Sequence, residues 1–263
     1  MDWRLGLLGA CIGLLVGLTG VGGGALMTPL LLLLFGTVPM VAVGTDLWFA
    51  AITKLFATPV HHSKGLIDWV VVKRLWLGSL TASSLTLWWM SAYGLEAGAM
   101  DLTKAVIAVA VVITAVAMLF QQRLHALGRR LRTTQVESFK AAQGPLTIAA
   151  GAVLGLLVTL TSIGAGALGA VFLAYLYPLR LTPPRLIATD IVHAIPLAFF
   201  AGIGHLMLGH VDLTLLGNML LGSVPAVILG AMLSARLSHR LLRIGLAVVL
   251  VSIGVKLLAG LFA

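Results

Sequence analysis

Hydrophobic side chains occupy eight long stretches of the chain, and polar residues are concentrated in the short intervals between them. A helix needs about 20 apolar residues to cross the roughly 30 Å hydrocarbon layer of a bilayer. Six of the eight stretches fit one such crossing, so the pattern predicts an all-α polytopic membrane protein. The stretches cover residues 5–35, 38–60, 69–92, 102–121, 145–177, 184–206, 212–235 and 241–262.

The first and fifth stretches differ from the others. At 31 and 33 residues they are too long for one crossing and too short for two. A cluster of small residues interrupts each near its middle. Because glycine weakens a helix interior and permits left-handed backbone conformations, we expect each stretch to form a broken helix. The clusters are Thr19-Gly20-Val21-Gly22-Gly23-Gly24-Ala25 and Thr161-Ser162-Ile163-Gly164-Ala165-Gly166-Ala167.

The chain is an internal duplication. When the sequence is compared with itself at a displacement of 142 and then 144 residues, glycine and polar positions recur in the same order. A fixed displacement is the signature of repeated units. The sequence therefore predicts two membrane repeats, residues 1–121 and 145–263, joined by a basic linker at 122–144. Matches include Thr19 with Thr161, Gly24 with Gly166, Thr45-Asp46 with Thr189-Asp190, and Gly78-Ser79 with Gly222-Ser223.

Two arrangements of the repeats are open, and the positive charges discriminate between them. If each broken stretch re-enters the membrane without crossing it, each repeat crosses three times and the repeats are inverted. If it crosses, each repeat crosses four times and the repeats are parallel. Lys and Arg concentrate on the cytoplasmic side of membrane proteins. With the linker inside, the inverted arrangement places 13 of the 17 Lys and Arg inside and the parallel arrangement places ten, which favours inversion.

Composition agrees with a multi-pass membrane protein and excludes two other classes. Hydrophobic residues make up 60% of the chain and charged residues 10%, whereas soluble domains carry about 25% charged residues. The net charge of +9 comes mainly from the linker and the ends of apolar stretches, so it indicates orientation in lipid and not a nucleic-acid partner. The single cysteine, Cys11, excludes an internal disulfide. The sequence does not predict an oligomer.

Charged residues inside the apolar stretches are candidates for function, because a charge at membrane depth needs a partner or an aqueous cavity. Asp46 and Asp190 occupy equivalent positions in the two repeats, and Lys54 lies about two turns beyond Asp46. Two interpretations of the carboxylates are open. They cap helix N-termini after the preceding prolines, or they line a cavity in which Lys54 pairs with one of them.

Histidines form a second group of candidates. His193 follows Asp190 by three residues, on a neighbouring face of the same helix, and a histidine near a carboxylate suits proton transfer. His61 and His205 are equivalent residues near predicted membrane ends, where an ordinary interfacial histidine is also expected. The spacing of the histidines and aspartates matches no zinc signature, and we predict no metal and no cofactor.

The glycine clusters have two interpretations of their own. Small residues allow helices to pack closely in membranes. Alternatively, each break aims a half-helix N-terminus into the protein, where unpaired N–H groups and the helix dipole attract an anion. Breaks at corresponding positions of two repeats indicate a transporter site. The predicted substrate-binding residues are Thr19, Gly20, Gly22, Gly23, Gly24, Lys54, Thr161, Ser162, Gly164 and Gly166, and the predicted proton-coupling or gating residues are Asp46, Asp190, His193, His61 and His205.

The chain resembles the sulfite exporter family TauE/SafE over nearly its whole length. The resemblance rests on GLLVGLTGVGGGALMTPLLLLLFG, VAVGTDLWFAAITKL and HHSKGLIDW in the first repeat, and on TSIGAGALGA, ATDIVHAIPL and GHLMLGHVDL in the second. It implies two repeated helical units that move sulfite, sulfoacetate or related organosulfur anions across the bacterial inner membrane, usually outward. Many members have Thr-Ser where this chain has Thr45-Asp46 and Thr189-Asp190, and the second glycine cluster is diluted. An acidic residue beside an anion path favours proton coupling.

Residues and resemblance together predict a secondary transporter that moves a small anion by alternating access. Asp46, Asp190 and His193 are expected to carry the coupling proton. The chain has no ATP-binding motif, so an ion gradient is the expected energy source. An uncoupled channel and a cation or metal transporter that uses the Asp and His side chains are the alternatives. No enzyme is expected, because Ser162 with His193 is the single nucleophile–base pair that the apolar segments offer.

The two arrangements of the repeats place residues 236–243 on opposite sides of the membrane. In a Cys11→Ser background, we expect an Arg240→Cys variant to react with a membrane-impermeant thiol reagent only from the cytoplasmic side. An Arg130→Cys variant in the linker marks that side as the control. Labelling of the two positions from opposite sides would show that the repeats are parallel.

Overall fold

The computed structural model describes residues 3–19, 24–61, 65–93, 99–134, 136–233 and 239–260, and every regular element among them is an α-helix. The all-helical fold predicted from the hydrophobic pattern is confirmed. The ten helices of this part of the chain are α1 (Trp3–Thr19), α2 (Gly24–Phe35), α3 (Pro39–His61), α4 (Trp69–Tyr93), α5 (Ala99–Thr134), α6 (Val136–Thr161), α7 (Ala167–Leu176), α8 (Pro183–Met207), α9 (Leu213–Leu233) and α10 (His239–Ala259).

Five of the described helices, α3, α5, α6, α8 and α9, are long and apolar enough to cross a membrane. Large apolar side chains also cover the outside of the bundle, where Leu77, Trp88, Leu221 and Leu229 are each more than half exposed. Soluble monomers rarely expose continuous apolar surface of this kind. The chain is therefore a multi-pass membrane protein.

The predicted linker is helical. α5 is 36 residues long, which corresponds to about 54 Å and exceeds the roughly 30 Å hydrocarbon layer. Its basic C-terminal part therefore leaves the membrane, and α6 begins at Val136, close behind it. The boundaries of the two repeats stay a prediction.

The second opening stretch, residues 145–177, is broken, as predicted. α1 ends at Thr19 and α2 begins at Gly24, while α6 ends at Thr161 and α7 begins at Ala167. Residues 20–23 lie outside the described residues, so the geometry of a break is known for the second stretch. There the backbone turns through positive φ angles at Ser162 (59°), Gly164 (126°) and Gly166 (115°).

Glycines let the two repeats touch backbone to backbone. α1 packs mainly on α9, and α4 packs mainly on α6, so each contact joins one repeat to the other. A β-carbon added at Gly222 would lie 1.9 Å from the carbonyl oxygen of Gly6, and one added at Gly78 would lie 1.9 Å from that of Ile148. Small residues are the general means of close helix packing in membranes. Glycine therefore allows close helix packing at these two crossings, which lie outside the glycine clusters at 19–25 and 161–167.

The equivalent helices α3 and α8 run antiparallel against each other. Gly44, near the start of α3, lies against His205, near the end of α8. Further along α3, Trp48 Nε1 donates a hydrogen bond of 2.9 Å to the carbonyl of Gly202, and the rings of Trp48 and Phe199 meet edge to face. Residues later in α3 thus contact residues earlier in α8, which is the pattern of two antiparallel helices.

Gly217 and Gly222 lie on the same helix, α9, and provide a matched test of this packing. We expect Gly222→Ala to lower the thermal unfolding midpoint, because its β-carbon meets the backbone of α1 and overpacking costs roughly 1–3 kcal/mol. A β-carbon at Gly217 would have no neighbour within 4 Å, so Gly217→Ala should leave the midpoint unchanged or slightly raised. Thermal unfolding in one detergent measures both, and equal destabilisation would contradict this account.

Candidate functional site

Two carboxylates and one ammonium are buried in the bundle. Asp46 and Lys54 lie on α3 and Asp190 lies on α8, and each is at most 3% exposed. α3 begins at Pro39 and α8 at Pro183, so each aspartate lies about two turns inside its helix. The interpretation of these aspartates as helix N-caps is therefore wrong.

Lys54 links the carboxylates to the second helix break. Its Nζ donates a hydrogen bond of 3.1 Å to the carbonyl oxygen of Ala165, which lies between α6 and α7. Asp46 and Asp190 both lie within electrostatic range of the same ammonium. The structure thus brings three predicted site residues together with the second glycine cluster, and their part in binding stays a prediction.

Asp46 is fixed by a residue of α2. Its Oδ2 accepts hydrogen bonds from Thr28 Oγ1 at 2.6 Å and from the Thr28 N–H at 3.2 Å. The Ser162 hydroxyl, from the second break, faces the same carboxyl group, although neither Ser162 Oγ nor Asp46 Oδ1 has a hydrogen-bond partner. Asp46 therefore links α3 to α2, beside the break of the other repeat.

The second break presents hydrogen-bond donors to the interior. Ser162 is 4% exposed, and its hydroxyl is buried without a partner. In the described part of the chain, the N–H groups of residues 164–167 make no hydrogen bond, because the first bonds of α7 are those donated by Leu168 and Gly169 to Gly164. Free N–H groups at a helix N-terminus, together with the helix dipole, attract negative charge. The break therefore carries hydrogen-bond donors of the kind that can bind an anion, and their part in binding stays a prediction.

The threonines of the two clusters are engaged in their own helices. Thr19 donates its hydroxyl hydrogen to the carbonyl of Leu15 at 2.7 Å, and Thr161 donates to that of Leu157 at 2.6 Å. Thr161 Oγ1 also accepts the N–H of Ile163 at 3.1 Å. In this conformation both hydroxyls donate to carbonyls of their own helices, and neither offers this hydrogen to a ligand.

The first cluster is described only at its edges. Gly20, Gly22 and Gly23, predicted to bind substrate, lie outside the described residues. Gly24 is the first residue of α2. The geometry of the site is therefore that of the second cluster, with Gly164 and Gly166 on either side of the carbonyl that Lys54 binds.

His193 lies in the same buried region. Its Nε2 is 3.0 Å from Ser79 Oγ on α4, and its backbone carbonyl accepts a hydrogen bond of 3.2 Å from Trp76 Nε1. The Lys54 ammonium is within electrostatic range of the ring, while Nδ1 is buried without a partner. His193 is thus a neighbour of the charged group, bound to α4 and not to either aspartate.

The other two predicted histidines lie apart from this region or outside the description. His205 Nε2 donates a hydrogen bond of 2.8 Å to the carbonyl of Thr159 on α6, and its ring centroid is 5.5 Å from that of His210. Burial lowers the pKa of His210, which lies in the turn before α9. His61 ends α3, and its side chain lies outside the described residues.

In each Thr-Asp pair, the threonine binds the backbone of another helix and the aspartate is buried in the bundle. Thr45 Oγ1 accepts the N–H of Asp212 at 3.0 Å, and Thr189 Oγ1 accepts the N–H of Asp68 at 3.1 Å. Each threonine thus holds the start of a helix from the opposite repeat, while the next residue faces the interior. Asp68 is further bound by Arg180, whose Nη2 donates to Oδ1 at 2.9 Å.

Sequence reasoning missed the side chains that position the site. Thr28 binds Asp46, and Ser79 binds His193. Thr28 is a polar residue inside a 12-residue apolar helix, and Ser79 recurs as Ser223 in the duplication. These two features distinguish Thr28 and Ser79 in the sequence, but neither feature predicts that the residues bind Asp46 and His193.

The fold and these residues define a multi-pass helical membrane protein with a charged, donor-rich site inside it. The family described as sulfite exporter TauE/SafE matches residues 5–257. The probable membrane transporter protein YjnA of Bacillus subtilis (strain 168) is 40% identical over 254 residues, which cover 96% of this chain and 98% of the relative. YunE, a probable membrane transporter protein of the same organism, is 32% identical over 78 residues, 28% of this chain and 29% of the relative. No solved structure matches the chain.

The chain belongs to the sulfite exporter TauE/SafE family, because the match spans nearly all of it. The resemblance to this family seen in the sequence is therefore confirmed. The family and its relatives are described as exporters and membrane transporters, and the protein is accordingly a membrane transporter.

Ser162 combines backbone strain with a free hydroxyl, and the two can be tested together. Its φ of 59° costs a residue other than glycine about 1–2 kcal/mol, and the equivalent residue of the first repeat is Gly20. We expect Ser162→Gly to raise the thermal unfolding midpoint and to weaken stabilisation by added sulfite. Ser162→Ala, which keeps the β-carbon, should weaken the sulfite effect without raising the midpoint. If Ser162→Gly behaves as wild type in both respects, Ser162 is neither strained nor part of the site.

Proposed function

We propose that the protein is a secondary transporter that exports a small anion, sulfite or a sulfonate, across the bacterial inner membrane. The observation that carries the proposal is the meeting of Lys54 with the break between α6 and α7. A buried, unpartnered hydroxyl and a helix N-terminus lie at the same break. Membership of the TauE/SafE family supports the substrate class.

The donors at the break suit a small oxyanion. Such an anion leaves water only where hydrogen-bond donors replace its hydration. The N–H groups of residues 164–167, the Ser162 hydroxyl and the Lys54 ammonium supply them, and bonds to a charged partner are the strong ones. The positive end of the α7 dipole adds to the attraction. Thr19 and Thr161 join as ligands when their hydroxyls turn away from the carbonyls of Leu15 and Leu157.

The carboxylates couple the anion to protons in this proposal. Asp46 and Asp190 share the ammonium that the anion needs, and an ionised carboxylate repels an anion. A proton on a carboxylate removes the repulsion, so proton and anion favour each other at the site. His193, beside the same ammonium, is the third group in the coupling. Because the chain lacks an ATP-binding motif, ion gradients supply the energy. A proton that leaves with the anion moves against an inward proton gradient, so outward movement is driven by the anion's own gradient and by the inside-negative membrane potential.

Alternating access follows from two repeats of opposite orientation around one site. The antiparallel contact of α3 with α8 supports inverted repeats, because equivalent helices of parallel repeats run in the same direction. In this arrangement the two broken stretches approach the site from opposite sides of the membrane. Rocking of one repeat against the other then exposes the site to each side in turn.

Two other functions make different predictions. An uncoupled anion channel uses the same donors and gives a flux that ignores the pH gradient. A cation or metal transporter uses the aspartates and histidines as ligands, and its flux responds to divalent metals. Among the described residues no three His, Cys, Asp or Glu side chains form a metal-binding group, which gives the second alternative less support.

Flux into or out of proteoliposomes distinguishes these functions. Sulfite, sulfate, thiosulfate and sulfoacetate are each measured with and without a pH gradient. We expect transport of sulfite or sulfoacetate that is faster when the side the anion leaves is the more acidic, because proton and anion move together. The double variant Asp46→Asn with Asp190→Asn should lose this dependence. Equal flux with and without the gradient indicates a channel, and flux of none of the four anions contradicts the substrate class.

The charge of Lys54 is tested by Lys54→Met. The loss of one charge-assisted hydrogen bond, worth about 1.5–3 kcal/mol, should lower sulfite flux at limiting concentration by roughly 10- to 100-fold. Lys256→Met, in the last turn of α10 and exposed, removes the same charge away from the site and serves as the control. An equal loss in both variants would show that net charge, and not the site, matters.

A further inference from the structure

The two aspartates are equivalent in sequence but differ in their surroundings. We propose that Asp190 alone binds and releases the coupling proton, whereas Asp46 stays ionised as a fixed acceptor held by Thr28. The inference rests on the proposed coupling of anion movement to protons and names the residue that performs it.

Asp46 is surrounded by groups that stabilise a carboxylate. Thr28 donates two hydrogen bonds to Oδ2, at 2.6 and 3.2 Å, and the Ser162 hydroxyl and the Lys54 ammonium face the same group. Hydrogen bonds and positive charge both favour the ionised form of a carboxyl group. A proton on Oδ2 would require the Thr28 hydroxyl to give up its bond, whereas Oδ1 is buried without a partner. The two bonds on Oδ2 distinguish Asp46 from Asp190, and in this proposal they keep Asp46 ionised.

Asp190 lacks every one of these hydrogen bonds. At the displacement of 142 residues, Ala170 stands where the first repeat has Thr28, so the second repeat lacks the hydroxyl. Among the described residues no group donates to the Asp190 carboxyl. Its Oδ1 lies instead against the backbone of α7, where a β-carbon at Gly169 would be 2.0 Å away. A buried carboxylate without hydrogen bonds is costly, so a proton is readily accepted here.

The charge on Asp190 depends on one neighbour. Among the described residues, Lys54 of α3 is the charged group that faces it, while α4, α6 and α7 present no charged side chain to it. Asp46, also on α3, shares that ammonium. His193, one turn further along α8, is bound to Ser79 of α4 at 3.0 Å. Asp190 is therefore more easily protonated when another group attracts the Lys54 ammonium away from it.

An anion at the break between α6 and α7 has this effect. Lys54 already reaches the break through the carbonyl of Ala165, and a bound anion attracts its charge further from Asp190. The carboxyl group then takes up a proton. Because linkage is reciprocal, a proton on Asp190 frees Lys54 and strengthens anion binding by the same factor. One proton thus accompanies each anion.

Proton uptake on sulfite binding tests the assignment. Calorimetric titration of the full-length protein with sulfite, in two buffers of different ionisation heat, gives the protons bound per anion. The protonation of sulfite itself is common to all variants, so differences between variants report the protein. We expect Asp190→Asn to take up about one proton fewer than wild type, and Asp46→Asn to take up as many as wild type. Equal uptake by wild type and Asp190→Asn overturns the assignment, as does a loss confined to Asp46→Asn.

Two further variants keep both aspartates and exchange their surroundings. Ala170→Thr places a hydroxyl where the first repeat has one, and it should reduce proton uptake because it stabilises the Asp190 carboxylate. Thr28→Ala releases Asp46 and should leave uptake at the wild-type value or raise it. If Ala170→Thr takes up as many protons as wild type, Asp190 is not the carrier. These variants decide the question even where Asp190→Asn does not fold.

The outcomes separate this inference from the proposed function. Absence of sulfite binding by wild type contradicts the proposed substrate and removes the inference with it. Sulfite binding with no difference in proton uptake between wild type and the double aspartate variant contradicts proton coupling. Proton uptake that depends on Asp46 and not on Asp190 leaves the coupling intact and overturns only the assignment.

Discussion

Lipid offers no hydrogen bonds, and this constraint governs the whole structure. Every backbone N–H and carbonyl in the hydrocarbon layer must find its partner within the protein. A helix satisfies the requirement by itself, so a helix can break only where other parts of the chain enclose the break. Between α6 and α7 the Thr161 hydroxyl takes the N–H of Ile163, and Lys54 takes the carbonyl of Ala165. The groups left over include the Ser162 hydroxyl and the N–H groups of residues 164–167, which are donors.

Enclosure of this kind requires tight contact between the repeats. Glycines such as Gly78 and Gly222 bring backbones together, and each repeat packs mainly on the other and not on itself. Thr45 and Thr189 hold the first turns of α9 and α4 across the same boundary. Since each is followed by an aspartate of the site, a movement between the repeats also moves the carboxylates.

The sequence predicts the break between α6 and α7 well, because the length of the apolar stretch and its glycine content are local properties. The duplication likewise singles out Asp46 and Asp190 and places them on equivalent helices. The different surroundings of the two aspartates follow from contacts between helices, such as that of Thr28 with Asp46, which spacing along the chain does not reveal. For Thr19 and Thr161, by contrast, the sequence-based prediction of a ligand role overlooked a local hydrogen bond. Threonine competes for nearby backbone carbonyls, and in this conformation that local bond takes precedence over a ligand.

The pairing of α1 with α9 joins two helices that are far apart along the chain. α1 ends at Thr19, and α9 begins only at Leu213, so α1 is synthesised well before its partner. Until then Gly13 and Gly17, which meet the backbone of α9 in the finished bundle, face lipid or transient neighbours. The closest packing surface of the first repeat therefore has no partner until α9 has been synthesised.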